Sequence, residues 1–195
     1  MQRNMQEETE IGEAAGQPAA LLVDLQPVFL DVVEDGPALL ANCRLFLEAA
    51  ELFGLPIHLT EQVPEKLGGT DERLASLVPD LRPFPKTGFS AFSAAGLPEA
   101  LRDSGVGHLL LAGVETSVCV YYTALDALDE GMDVTILADC VSCRRPKYGE
   151  WALRKLAAAG CHLLPLETIF YGILGGAEHP CFKAFTKLVR GRDSR

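Results

Sequence analysis

The stretch GHLLLAGVETSVCVYYTALDAL, residues 107–128, decides how the chain reads. Its apolar run at 108–112 lacks polar alternation, the pattern of a strand buried on both faces of a parallel sheet. The run stops at Gly113, and helical spacing begins a few residues later with Cys119 in the first turn. A strand, a sharp turn and a helix start thus present a thiol at a helix N-terminus. Backbone N–H groups there lack intrahelical acceptors and carry the positive end of the helix dipole, so a thiolate is favoured. Free cysteine is also among the residue types most often buried for packing alone. The flanking segments have to decide between a nucleophile and a core thiol.

Working outward, residues 19–23 form another unbroken apolar run, ending at Asp24, and residues 56–60 a third, followed by Glu61. Further strands are expected at 81–84, 133–138 and 161–166. Helical spacing appears at 36–53, 71–78, 97–104, 146–159, 167–174 and 181–190, besides the helix that holds Cys119. Strands alternating with helices predict an α/β fold, a three-layer α/β/α Rossmann-like arrangement around a mainly parallel six-stranded sheet. Residues 1–18 read as a polar N-terminal extension whose acidic run, Glu7 to Glu13, is a solvated face. Residues 19–195 read as one domain, since 195 residues are enough for one sizeable core.

Composition narrows the partners. With 48% hydrophobic and 23% charged residues the chain is globular. A formal charge of −10 argues against a broad nucleic-acid or anionic-membrane surface, and no apolar run reaches the length of a membrane span. Small molecules or proteins are the expected partners. The N-terminal residues show no targeting pattern, so a cytoplasmic setting is expected, with the six cysteines as free thiols.

A parallel sheet of this kind binds ligands outside the carboxyl ends of its strands. The strand-end residues are Asp24, Glu61, Lys86, residues 115–119 and Asp139. An acid, an amine and a thiol can therefore converge at one edge. The Lys86 ammonium would favour a thiolate at Cys119, and Asp24 could take and return a proton. Attack on an amide carbonyl would generate an oxyanion, which backbone N–H groups of residues 115–119 could receive. Phe29, Phe89 and Phe92 follow the strand ends that carry Asp24 and Lys86 and are candidate pocket walls.

Three segments carry a family resemblance: Leu21-Leu22-Val23-Asp24-Leu25-Gln26, Pro85-Lys86-Thr87-Gly88-Phe89-Ser90, and Gly113-Val114-Glu115-Thr116-Ser117-Val118-Cys119-Val120. Together they resemble the signatures of the isochorismatase-like cysteine hydrolases. Thr60-Glu61-Gln62 and the tail from Ala177 to Lys183 look most like the branch of isochorismatase domain-containing proteins. The resemblance implies a catalytic triad of Asp24, Lys86 and Cys119, which cleaves a carboxamide C–N bond through a thioester. It also implies a cis peptide bond between Val114 and Glu115, an oxyanion hole from the N–H groups of Glu115 and Cys119, and supporting roles for Gln26, Val114 and Thr116. It suggests a homo-oligomer; Tyr121 and Tyr122, one turn past Cys119, are candidate subunit contacts by position.

Two departures narrow the chemistry. Nicotinamidases of this family carry an Asp-x-His ligand set after the second strand, where this chain has Glu61-Gln62-Val63. A nicotinamidase-type amidase is thereby disfavoured, and no metal or other cofactor is expected. Isochorismatases proper lack the nucleophilic cysteine that Cys119 would supply. A non-catalytic binding protein that keeps the fold is the competing reading, against which the intact set of Asp24, Lys86 and Cys119 weighs. Cys140-x-x-Cys143, with Cys161 and His162 downstream, could suit zinc or redox chemistry but lacks a second CxxC and reads as packing. His58, His108 and His162 are expected as hydrogen-bonded core residues and His179 as structural.

Overall fold

The computed structural model describes residues 16–192. Its first half runs β1 (Gln17–Val23), α1 (Pro27–Leu30), α2 (Gly36–Phe53), β2 (Ile57–Gln62), α3 (Pro64–Leu67), α4 (Glu72–Ala75) and β3 (Phe84–Lys86). After a 3-10 turn at Ala91–Ser93 come α5 (Leu97–Asp103), β4 (Val106–Val114), α6 (Cys119–Asp129) and β5 (Asp133–Ser142). The chain then continues through α7 (Pro146–Ala158), β6 (His162–Leu164), α8 (Leu166–Leu174) and α9 (Phe182–Gly191). The six strands form one sheet in the order β3-β2-β1-β4-β5-β6, with every neighbouring pair parallel.

The two unbroken apolar runs are the central strands, as their lack of alternation requires. Along β1 the side chains divide by parity between two cores. Ala20 and Leu22 join the cluster beneath α2, α8 and α9, which also holds Phe46, Phe170 and Phe185. Ala19, Leu21 and Val23 join the opposite cluster, with Leu109, Leu111, Val120 and Leu156. Helices on both faces close the three layers. The chain winds outward from β1 to β3 and then returns to place β4 on the other side of β1. The carboxyl ends of β1 and β4 therefore flank the crevice where such sheets bind ligands. Gly113 makes the approach possible: its φ is +122°, and a Cβ there would sit 2.1 Å from the carbonyl oxygen of Val23.

Several boundaries differ from the sequence expectations. β1 begins at Gln17, inside the segment assigned to a polar extension; residues 1–15, with the acidic run, lie outside the described residues. The third strand is Phe84–Lys86 instead of 81–84, because only the end of β2 is available to pair with it, Thr60 opposite Phe84 and Gln62 opposite Lys86. Pro85 is tolerated there because β3 is an edge strand. β5 continues four residues beyond 138, to Ser142, through a register shift opposite the stretch between Leu111 and Gly113 of β4. Among the described residues no helix is long and apolar enough to cross a membrane.

The histidines also depart from expectation. His108 does pair, its Nε2 lying 2.8 Å from Thr135 Oγ1, but His162 is exposed, and among the described residues no hydrogen-bond partner meets the buried Nε2 of His58. Burial pulls both His58 and His108 below the ordinary value of 6.5. The unfolded chain then binds protons that the folded chain refuses, so stability is complete above about pH 6.5 and falls on acidification. The melting temperature is expected to drop between about pH 7.5 and 5.5, with a shallower slope in His58→Phe. An unchanged slope in that variant would remove His58 from the account.

Candidate active site

The strand order brings Asp24, Lys86 and Cys119 to one edge. Asp24 follows β1 in a left-handed backbone conformation, φ +55°, which Asp tolerates better than most residues. Its Oδ1 accepts the Thr60 hydroxyl at 2.9 Å and its Oδ2 accepts from Lys86 Nζ at 2.6 Å. Lys86 Nζ also donates to Gln62 Oε1 at 2.6 Å and to the carbonyl of Phe89 at 3.0 Å, with that of Gly88 at 3.3 Å. Both side chains are fully enclosed, 0% exposed for Lys86 and 1% for Asp24. Such a pair is sustainable because each charge is matched and its remaining hydrogen-bonding capacity is used.

Cys119 opens α6, and among the described residues no acceptor takes its backbone N–H. The Val114–Glu115 peptide bond is cis. The Glu115 N–H and the Asp24 carboxylate both lie close enough to the Cys119 sulfur to act on its charge. Burial pushes this thiol up to about 12, and the neighbouring carboxylate of Asp24 pushes the same way; Lys86 and the Glu115 N–H oppose them. The expectation of a resting thiolate is therefore corrected. The helix start and the ammonium do not offset the loss of water, so the sulfur rests protonated. Asp24 is raised as well, first by its own burial, against the lowering effect of Lys86, Cys119 and Thr60. A carboxylate so raised is a stronger base toward the thiol beside it.

A cavity of about 320 Å³ opens over this group. Asp24, Cys119 and Gln62 form its reactive end, Phe29, Phe89, Val114 and Val118 its apolar walls, and Glu115 with Arg144 its polar flank. Phe92 is not a wall; it packs against the core beneath α5 and α6. Gln26 stands behind the site, accepting the Gln62 N–H at 2.7 Å and donating to the carbonyls of Gln62 and Gly68 at 3.0 and 2.5 Å. It thereby fixes the residue that holds Lys86. Thr116 is buried, and its N–H ties the turn to Ser142 of β5 at 2.9 Å.

Two strand-end candidates serve elsewhere. Glu61 binds the N–H and hydroxyl of Thr70 at 2.7 and 2.8 Å and pins the following loop. Asp139 lies within β5, where its carboxylate accepts the Leu166 N–H at 2.9 Å and its carbonyl accepts from Asn42 at 2.6 Å. The residues overlooked were Thr60, Gln62 and Arg144. Strand parity was the available signal, because 60 and 62 share the face opposite to 61. Cys140 is buried against Cys43, whose thiol points at the Cys140 carbonyl, while the Cys143 thiol donates to the carbonyl of Arg145 at 3.1 Å. Cys161 sits in the other core, and no group of three His, Cys, Asp or Glu side chains among the described residues could hold a metal ion.

Comparison with known proteins bears on family and fold. The profile of the isochorismatase domain matches residues 18–168. Isochorismatase domain-containing protein 2 of Xenopus laevis is 32% identical over 180 residues, covering 92% of this chain and 87% of its own. A solved structure titled MAR1 ribonuclease from Caenorhabditis elegans superposes with a TM-score of 0.82 at 31% identity, covering 90% of both chains. YcaC from Pseudomonas aeruginosa, solved with hexane-2,5-diol and covalent acrylamide, superposes with a TM-score of 0.75 at 27% identity, covering 90% of this chain and 94% of its own.

Proposed function

The chain belongs to the isochorismatase domain family, whose fold is that of a hydrolase, and from that premise we propose that it cleaves small carboxamides through a thioester on Cys119. The observation that carries this reading is the thiol beside a carboxylate that is hydrogen-bonded to a buried ammonium and a hydroxyl, all beneath a cavity of small-molecule size. In the first half-reaction Asp24 takes the thiol proton as sulfur attacks the carbonyl carbon. The developing oxyanion meets the N–H groups of Glu115 and Cys119. When the tetrahedral intermediate collapses, the C–N bond breaks, the proton on Asp24 passes to the departing nitrogen, and an S-acyl enzyme remains. Water then gives a proton to Asp24 as its oxygen attacks the thioester. The carboxylic acid leaves and the proton returns to sulfur. Lys86 holds Asp24 in place throughout.

No step in this sequence calls on a metal or other cofactor. The Caenorhabditis elegans neighbour carries the name ribonuclease. For this chain a net charge of −10 and a narrow cavity with Arg144 as its cationic wall favour a small substrate over RNA. Exposed Tyr122, Tyr148 and Trp151 on the neighbouring helices α6 and α7 favour a homo-oligomer, and a cytoplasmic setting remains our assignment.

The test is to mix the protein with a panel of small primary amides, following ammonia release and the intact mass after an acid quench. An acyl increment should appear at Cys119 and decay with turnover. Ammonia release with no acyl increment, or an increment spread over several cysteines, would sink the thioester route.

A further inference from the structure

Arg144 is the feature of the cavity that the hydrolytic steps leave unused. It lies between β5 and α7 and is held by Glu115 at two points. Its backbone N–H donates to Glu115 Oε2 at 3.2 Å and its Nε to Glu115 Oε1 at 2.6 Å. The Glu115 carboxylate is 13% exposed and anchored, while the arginine side chain is 61% exposed. Among the described residues no acceptor meets Nη1 or Nη2, so the outer edge of the guanidinium stays available at the cavity wall. The other cation of the site is not available: Lys86 is enclosed and its donors are taken by Asp24, Gln62 and two carbonyls. The remaining walls are apolar, Phe29, Phe89, Val114 and Val118.

A ligand matched to this cavity has three parts: an amide at Cys119, a short apolar body, and an acceptor group able to meet two parallel N–H donors. A planar carboxylate fits that fork best. We propose that Arg144 is a specificity-determining residue and that the substrates are short amides bearing a carboxylate at the far end. The proposal rests on the amidase reading for the orientation of the ligand, while recognition of the carboxylate does not depend on turnover. Glu115 has a double part in it, aiming the guanidinium by its side chain while its N–H faces the sulfur.

Binding to the full chain carrying Cys119→Ala separates the two readings, because nothing is hydrolysed. The probes are malonamate, succinamate and glutaramate against propanamide, butanamide and pentanamide, in which a methyl replaces the carboxylate. Titration calorimetry should give at least one carboxylate-bearing amide a Kd about tenfold or more below its uncharged counterpart. Added Arg144→Gln should bring the ratio close to one, Arg144→Lys should leave an intermediate ratio, and salt should shrink it in the parent. Each ratio is taken within one protein, so a general loss of binding does not imitate the effect. If Arg144→Gln does not fold, the parent ratio and its salt dependence decide. A parent ratio near one, or a ratio that survives in Arg144→Gln, overturns the proposal. Acylation of Cys119 by uncharged amides alone would defeat it while leaving the thioester route intact. A carboxylate preference without any acylation would do the reverse.

Discussion

Cys119→Ala is expected to lower kcat/KM for a small amide by about a thousandfold or more, while the protein still folds. The magnitude follows from what a covalent nucleophile does: without it the acyl group has nowhere to go, and only binding and the oxyanion donors remain. Folding should survive because the exchange replaces a buried thiol by a methyl at the start of α6 without breaking a helix cap. A second measurement tests the protonated resting state. With the thiol near 12, alkylation by iodoacetamide should accelerate by about tenfold per pH unit from about pH 7 to 10, without a plateau. A plateau near neutral pH would show a resting thiolate. Turnover retained in Cys119→Ala would remove the nucleophile altogether.

Lys86→Met should be the most destabilising change in the site, costing about 3–5 kcal/mol in denaturant unfolding. The ammonium and the Asp24 carboxylate are enclosed together at 2.6 Å, so removing one leaves the other buried without a counter-charge. The loss of Lys86 also removes a lowering influence on the Asp24 carboxyl, already raised by burial. Asp24 should therefore become easier to protonate, and activity should vanish with stability. The double variant Asp24→Asn/Lys86→Met is expected to recover most of the stability and none of the activity, because it removes both charges and the base. A cost below about 1 kcal/mol for Lys86→Met would mean that the pair is not buried in solution.

Much of this was legible in the chain itself. The runs at 19–23 and 108–112 announced the two central strands by their lack of alternation, and helix α2 was bounded at Gly36 and Phe53 by apolar spacing and a following glycine. Asp24, Lys86 and Cys119 stood at strand ends, so a parallel sheet was enough to bring them to one edge. Listing strand ends without parity selected Glu61, whereas the inward-facing residues are Thr60 and Gln62. Asp139 reads as a strand end because polarity breaks the apolar run, yet a register shift carries β5 beyond it. The charge on sulfur is hidden for another reason. A helix start and a lysine are visible in sequence, but the depth of burial that outweighs them is a property of packing. Arg144 was equally hidden, since an arginine after a strand is ordinary until its backbone and Nε are seen clamped by Glu115.

The enclosure of Lys86 has a practical side. Its ammonium carries three hydrogens and faces four acceptors, and no part of its side chain touches solvent. Amine-directed reagents such as activated esters, cyanate or formaldehyde with a reductant need an accessible nitrogen, and here they do not find one. Surface lysines can therefore be labelled, methylated or coupled to a solid support while this one passes through untouched, so the protein can be immobilised through its amines without consuming the amine on which Asp24 depends.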